Sequence, residues 1–296
     1  MSNQLEIRHL KYFLAVAEDL HFRKAAERLF ISQPGLSRQI KQMEDDLQLQ
    51  LFSRHNRKVE LTKAGEYLKK EITKSLKNLN NIIEHAKHLH NGIEGNLKMG
   101  YVGSAMQQII PDLLLRFKKG HPNTLFSLNE MGNQRQIEAL LTKDIDIGFV
   151  RLDRVPEGIA KKSVLKENFC LVLPKAHAID KKNFKSIKQL EKDSFILFDP
   201  HYSTSYYEKV MRIFDDAGFS PTVTHNTIHA GSIYKLVENN FGVSIVPQSL
   251  QVEHIKGIKF IELEQVPHKT TLSLVWNKDN RNPSLEQFLK NFINKG

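Results

Sequence analysis

The chain contains a single cysteine, Cys170, in 296 residues. One thiol cannot close an internal disulfide, so a disulfide-stapled scaffold and a two-cysteine redox switch are both excluded. Cys170 stands in the apolar run Phe169-Cys170-Leu171-Val172-Leu173, which reads as a buried strand, so its expected role is that of a small core residue. No stretch comes near the roughly 18 consecutive apolar residues of a membrane-spanning helix. Met1-Ser2-Asn3-Gln4 runs straight into an amphipathic helix rather than a signal peptide, so a cytoplasmic protein with no membrane partner is expected. HExxH, P-loop, GxSxG and complete dinucleotide signatures are missing, and Gly100-Tyr101-Val102-Gly103 is too short to count as one. Neither an enzyme nor a cofactor is expected. His85, His88 and His90 do not share one helical face, and no Cys or Asp accompanies them, so no metal site is expected either.

What is present is ordinary in bulk: 40% apolar and 26% charged residues, as in soluble globular proteins. The length allows two domains and a sizeable core. A net charge of +10 favours an anionic partner such as nucleic acid.

Residues 22–43, FRKAAERLFISQPGLSRQIKQM, carry the sharpest signal. Phe22, Ala25, Ala26 and Leu29 recur at helical spacing and predict one buried face. Leu36, Ile40, Met43 and Leu47 do the same for a second helix, at steps of four, three and four. Between them Ser32 is a good N-cap, because its hydroxyl can satisfy an orphan amide of the first turn. Pro34 falls in that turn, where a missing N–H is tolerated. Gln33, Ser37, Arg38 and Lys41 are then left on the exposed side near the helix start. Gln can pair with adenine, Arg with guanine or phosphate, and Ser with either. The pair reads as a helix-turn-helix whose second helix can enter a major groove, with double-stranded DNA as partner. Ser32, Pro34 and Gly35 at that helix start and Arg23 on the helix before it are expected to contact the DNA as well.

Leu10, Phe13, Leu14 and Ala17 predict a preceding helix that covers the other two. After Leu51-Phe52, residues 53–58 are basic and turn-like, and the residues to Thr62 alternate as a short strand does. That pattern suits a wing beside the recognition helix, with Arg54 and Arg57 toward the DNA. Arg57 is the candidate for a narrow, A·T-rich minor groove. Leu68, Ile72, Leu76, Leu79, Ile83 and Ala86 then form a near-heptad stripe on one long helix. The stripe can pair with a second copy, or pack on its own domain. Residues 91–96, Asn-Gly-Ile-Glu-Gly-Asn, end the helix and mark a domain boundary.

From Leu97 onward strand-like and helix-like segments alternate, which predicts an α/β domain. Strands are expected at 97–102, 124–130, 145–150, 169–173, 195–198, 222–226, 243–246 and 271–276. Helices are expected at 111–119, 134–141, 206–217, 231–240 and 285–294. Ligands of such sheets bind in the crevice outside the strand C-termini. That rule selects Gly103 and Ser104 after the first strand, Asn133 after the next, and Arg151 after the third. It also selects the hydroxyl-rich residues 200–206, with Ser203, Thr204 and Tyr206 among them. Singly, Ser104 and Asn133 are explained as caps and Arg151 as a surface residue. Together they predict a small anionic ligand, a carboxylate.

The sequence resembles the LysR-type bacterial transcription regulators over essentially its full length. The residues that carry this are Leu10-Lys11-Tyr12-Phe13, Ala25-Ala26, the run from Ser32 to Ile40, Leu51-Phe52, Arg54 and Leu61-Thr62-Lys63-Ala64-Gly65. The resemblance implies an α/β chain with an N-terminal winged helix-turn-helix at 1–65 and a linker/dimerisation helix at 66–92. A two-lobed effector domain like type 2 periplasmic binding proteins would follow at 93–296. Lobe I would take about 96–166 plus 269–296, and lobe II about 167–268. It further implies a homotetramer that bends promoter DNA in response to a metabolite, with RNA polymerase as a partner if the output is activation.

The second half is most similar to the subgroup answering to muconate, benzoate-type and chlorinated aromatic catabolites. Gly100-Tyr101-Val102-Gly103-Ser104, Glu130-Met131-Gly132, Gln136, Glu138-Ala139-Leu140, Asp146, Gly148-Phe149 and Arg151-Leu152 carry that likeness. By position, Ser104 and residues 203–206 would hold the effector carboxylates. Three departures stand out. Asn133 replaces the subgroup's usual threonine, residues 200–206 look shorter, and Gly35 stands where alanine, proline or serine is commoner. The competing reading is an architectural or replication-associated DNA-binding protein without metabolite control.

Overall fold

The computed structural model describes residues 5–55, 58–90, 95–107, 109–252 and 255–293, without the side chains of residues 54, 55, 85, 88, 89 and 293. The chain divides into two compact units, Met1–Glu84 and His85–Gly296.

The first unit is built on three short helices: α1 (Ile7–Asp19), α2 (Phe22–Arg28) and α3 (Gln33–Leu47). Phe13, Val16, Ala25, Ala26, Leu36, Ile40 and Met43 form its buried core. A hairpin of β1 (Phe52–His55) and β2 (Lys58–Leu61) follows, with Phe52 opposite Leu61. The sequence reading placed only the second of these strands. Glu44 fixes the start of the hairpin to α3: its Oε1 accepts the backbone N–H of Leu51 at 2.8 Å and of Phe52 at 3.0 Å.

Helix α4 (Lys63–His90) begins earlier than the linker boundary expected at residue 66. The cause is local: the Thr62 hydroxyl accepts the Gly65 N–H at 3.0 Å and so caps the helix. Gly65 has no substitute, because a Cβ there would stand 2.2 Å from the Leu51 carbonyl oxygen. The apolar stripe on α4 splits in two. Leu68, Ile72 and Leu76 pack on the three-helix core, and Lys69 Nζ donates to the Ala17 carbonyl at 2.8 Å. Farther along, Ile82 is 57% and Ile83 46% exposed, although both belong to the same apolar helix. The first half of the stripe thus packs on its own domain. The end of the helix at residues 91–94 and the side chains of His85 and His88 lie outside the described residues. Among the described residues no group of His, Cys, Asp and Glu can hold a metal, and no helix is long and apolar enough to cross a membrane.

The second unit has two lobes. In lobe I, β3 (Gly95–Tyr101), β4 (Thr124–Glu130) and β5 (Ile147–Val150) run parallel. They join β6 (Ile159–Glu167) and the later β12 (Thr270–Asn277) in a five-stranded sheet of order β4-β3-β5-β12-β6. Helices α5 (Gly103–Met106), α6 (Ile109–Gly120), α7 (Asn133–Leu141) and the closing α10 (Pro283–Ile293) accompany this sheet.

Lobe II holds β7 (Phe169–Pro174) between β10 (Ser244–Pro247) and β11 (Ile258–Glu262), and a parallel pair of β8 (Ser194–Phe198) and β9 (Thr222–Thr227). The Ile196 N–H donates to Val243 O at 2.9 Å and the Val243 N–H to Ser194 O at 2.8 Å, which stitches the two groups together. Helices α8 (Thr204–Asp216) and α9 (Ala230–Glu238) pack against them. Cys170 is buried in β7, and burial pushes its thiol up to about 12. That places it where a core residue, not a reactive thiol, is expected. The chain passes between the lobes after β6 and again before β12, and the two crossings are neighbours, since Thr270 pairs with Glu167.

The half-buried Glu44 gives a direct test of the first unit. Glu44→Ala strands two backbone amides and should lower stability by about 1–3 kcal/mol. Urea unfolding followed by circular dichroism reads the loss; an unchanged midpoint would show that the hairpin does not depend on this carboxylate.

Candidate functional site

Two surfaces collect the candidate residues. The first is the start of α3. Ser32 is its N-cap, with the hydroxyl accepting the Gly35 N–H at 3.3 Å, and Pro34 lies in the first turn. A Cβ at Gly35 would stand 2.9 Å from the Ser32 Oγ, the rotatable end of the capping side chain. With Leu36, Ile40 and Met43 buried, Gln33, Pro34, Arg38 and Lys41 are exposed and Ser37 half-exposed. Arg23, on α2, is exposed and lies 3.1 Å from Glu27, a surface pair of little energetic weight. Arg54 is in β1 opposite Val59, but its side chain lies outside the described residues, as does all of Arg57. The structure thus brings the expected groove-reading residues onto one helix start, within a fold that presents that start.

The second surface is a cavity of about 230 Å³ between the lobes. It forms where strand C-termini converge, as open α/β sheets dictate. Gly103 and Ser104 follow β3, Glu130 ends β4, and Arg151 follows β5; from lobe II come Tyr202, Ser203 and Tyr206 beside Ile228 to Gly231.

Arg151 is the centre of this region. It is 5% exposed. Its Nη2 lies 2.5 Å from Glu167 Oε1, Nε donates to Ser104 Oγ at 3.0 Å, and Nη1 donates to Thr270 Oγ1 at 3.0 Å. Ser249 of lobe II joins the network, since its Oγ donates to Glu167 Oε1 at 3.0 Å and accepts from Arg151 Nη2 at 3.3 Å. Arg151 therefore lines the cavity, but its charge is engaged by Glu167 rather than held open for an anion.

Two expected effector contacts fall elsewhere. Asn133 does not line the cavity: its Nδ2 donates to Ser203 Oγ at 2.6 Å, and its Oδ1 accepts the Arg151 N–H at 2.9 Å. It is a tie between lobes. Thr204 does not line the cavity either, because its hydroxyl turns back to the Pro200 carbonyl at 2.9 Å. Gly103, Ser104, Ser203 and Tyr206 do line it. The Tyr206 hydroxyl donates to Ile245 O at 3.0 Å, and burial pushes this phenol well above its ordinary value.

The sequence reading missed several contributors. Tyr202, which lies within the expected hydroxyl-rich residues 200–206, is not one of these: it accepts the Gly103 N–H at 3.3 Å and donates to Glu130 Oε1 at 3.2 Å, spanning the cleft. Its backbone carbonyl accepts the Asn133 N–H at 3.2 Å. Gly132 permits that approach, since a Cβ there would stand 2.7 Å from the Tyr202 carbonyl oxygen. Ile228, His229, Ala230 and Gly231 also line the cavity. They follow the end of β9 and open α9, so the rule that selected Ser104 could have found them. Glu167 carried no such signal.

The buried pair yields a paired prediction. Glu167→Ala leaves a buried guanidinium without its counter-charge and should cost about 3–5 kcal/mol of stability. Replacing both partners, Arg151→Met with Glu167→Leu, should cost less than the single change. Denaturant unfolding of the three variants decides, and a double variant less stable than Glu167→Ala would contradict the reading.

The geometry agrees with comparisons to known proteins. Residues 7–66 match the bacterial regulatory helix-turn-helix of the lysR family, and residues 90–295 match the LysR substrate binding domain. The transcriptional regulator AlsR of Bacillus subtilis is 32% identical over 285 residues, covering 96% of this chain and 94% of AlsR. The regulator BenM of Acinetobacter baylyi is 31% identical over 262 residues, covering 88% of this chain and 86% of BenM. Among solved structures, full-length CbnR in complex with its target DNA superposes with a TM-score of 0.68 at 27% identity, covering 99% of this chain and 100% of that one. The chain belongs to the LysR family of DNA-binding transcriptional regulators.

Proposed function

We propose that this regulator's grip on promoter DNA is set by a small carboxylate metabolite bound between the lobes of the effector domain. The observation that carries the proposal is the cavity of about 230 Å³ at the converging strand ends. It is smaller than the ~300–1,000 Å³ usual for ligand sites, which favours a compact metabolite. Hydroxyls of Ser104 and Ser203 and apolar walls from Phe198 and Leu250 suit such a molecule. Residues 1–65 serve as the DNA-binding part, 66–92 as the linker, and 93–296 as the effector domain, in a protein that works in the cytoplasm.

The chain acts as a dimer or a tetramer. Ile82 and Ile83 support this, being exposed apolar residues in the middle of a long helix. A paired α4 would present two recognition helices to two half-sites. Arg54 and Arg57 on the wing would follow the adjacent backbone or minor groove.

Three measurements test the proposal. Arg38→Ala removes a groove contact and should weaken promoter binding by about 1–3 kcal/mol, read by gel shift at fixed salt. Ile82→Lys together with Ile83→Lys should shift the chain toward monomer in sedimentation and weaken binding to a two-half-site promoter. A metabolite at about 100 times its dissociation constant should stabilise the protein by about 2.7 kcal/mol. Unchanged binding in Arg38→Ala, or an unchanged oligomer in the lysine variant, would contradict the corresponding part.

A further inference from the structure

The inference concerns the chemistry of the effector, and it rests on the reading of the interlobe cavity as the effector site. Charged groups lining that cavity are Arg151 from lobe I, Glu130 from lobe I and, when protonated, His229 from lobe II. Arg151 is not available to a ligand as a free cation. Its three nitrogens donate to Ser104, Thr270, Glu167 and Ser249, and the Glu167 carboxylate stands 2.5 Å away.

Glu130 is differently placed. It ends β4 at the cavity, with a side chain 32% exposed. Its Oε1 accepts from the Tyr202 hydroxyl at 3.2 Å and lies 3.5 Å from His229 Nδ1. Among the described residues Oε2 has no hydrogen-bond partner. The cavity therefore offers one carboxylate with an unused acceptor and no uncompensated arginine.

Donors lie nearby. The Ser104 oxygen accepts from Arg151, which leaves its own hydrogen to give. Ala230 and Gly231 begin α9, a nine-residue helix whose N-cap His229 makes no side-chain cap bond, so their amides have no intrahelical acceptor. At Gly231 the space a Cβ would occupy is open. Glu130 lies against Gly103, where a Cβ would stand 2.9 Å from Glu130 Oε1, and shares the cavity lining with these donors.

We propose that the effector is a small carboxylic acid that also bears an amino or hydroxyl group. Its carboxylate takes the donors of Ser104, Ala230 and Gly231, and its amino or hydroxyl group donates to Glu130. A dicarboxylate of the same size would set its second anion against Glu130, with no lysine and no uncompensated arginine among the described residues lining the cavity, and like charges at close range exclude the wrong ligand.

Thermal melting of the full-length protein tests this with named probes: β-alanine, 4-aminobutyrate and 3-hydroxybutyrate against succinate and glutarate. An amino or hydroxy acid should raise the melting temperature of the wild-type protein and bind at least about tenfold more tightly than the dicarboxylates. A stronger response to the amino acids than to 3-hydroxybutyrate identifies a cation as the group read, and the reverse a hydroxyl. Glu130→Gln should erase or invert the preference, and Tyr202→Phe, which keeps the charge, should retain it. If Glu130→Gln does not fold, the wild-type ranking decides alone. Stabilisation by the dicarboxylates, indifferent to Glu130→Gln, would overturn this inference and leave the carboxylate-effector reading standing. No response to any of the five probes, in wild type or variant, would overturn both.

Discussion

A guanidinium and a carboxylate 2.5 Å apart, each side chain only 4% exposed, sit where the chain passes from one lobe to the other. Neither Arg151 nor Glu167 could stay buried without its partner, because an isolated charge in that environment costs several kcal/mol. The pair is also the meeting point of otherwise distant segments. Arg151 follows β5, Glu167 ends β6, Thr270 starts β12, and Ser249 reaches in from lobe II. The network joins these strand ends to lobe II and engages the Ser104 hydroxyl beside the cavity.

The cleft gains a second set of ties on its lobe II loop. Asn133 bonds Ser203, and the Asn133 N–H bonds the Tyr202 carbonyl. Lys209 of lobe II reaches Asp153 of lobe I at 2.6 Å. These contacts join the two lobes directly. A ligand biases such an arrangement only as far as it binds one disposition of the lobes better than another. In the first unit the corresponding constraint is the cap at Ser32, which sets the direction of α3 and so decides which side chains face outward.

Much of this was legible in the residues. Ser32, Pro34 and the apolar steps from Leu36 to Met43 point to a capped, half-buried helix, and α3 is one. The strand at Thr124–Glu130 follows the same logic. In the second unit two strands were not read, β6 and β11, and both lie at sheet edges. Edge strands carry charge against aggregation, and Lys161, Lys162 and Lys166 in β6 blur its alternation. The site was less legible than the fold. Ser104 and Arg151 were found because strand ends are local. The partners of Arg151 and Asn133 were not, because Glu167 and Ser203 are 16 and 70 residues away in sequence and reach them only through tertiary packing.

In the proposed function the interlobe cavity is the input and the α3 start the output of one molecule. Gly231 allows the link to be tested, because a side chain there enters open space. The measurement is promoter footprinting with and without the small-molecule fraction of a cell extract, on the wild-type protein and on Gly231→Phe. The wild-type footprint should change when the fraction is added, and that of Gly231→Phe should not. A footprint that never changes, or that changes equally in both proteins, would contradict the claim that the cavity governs DNA binding.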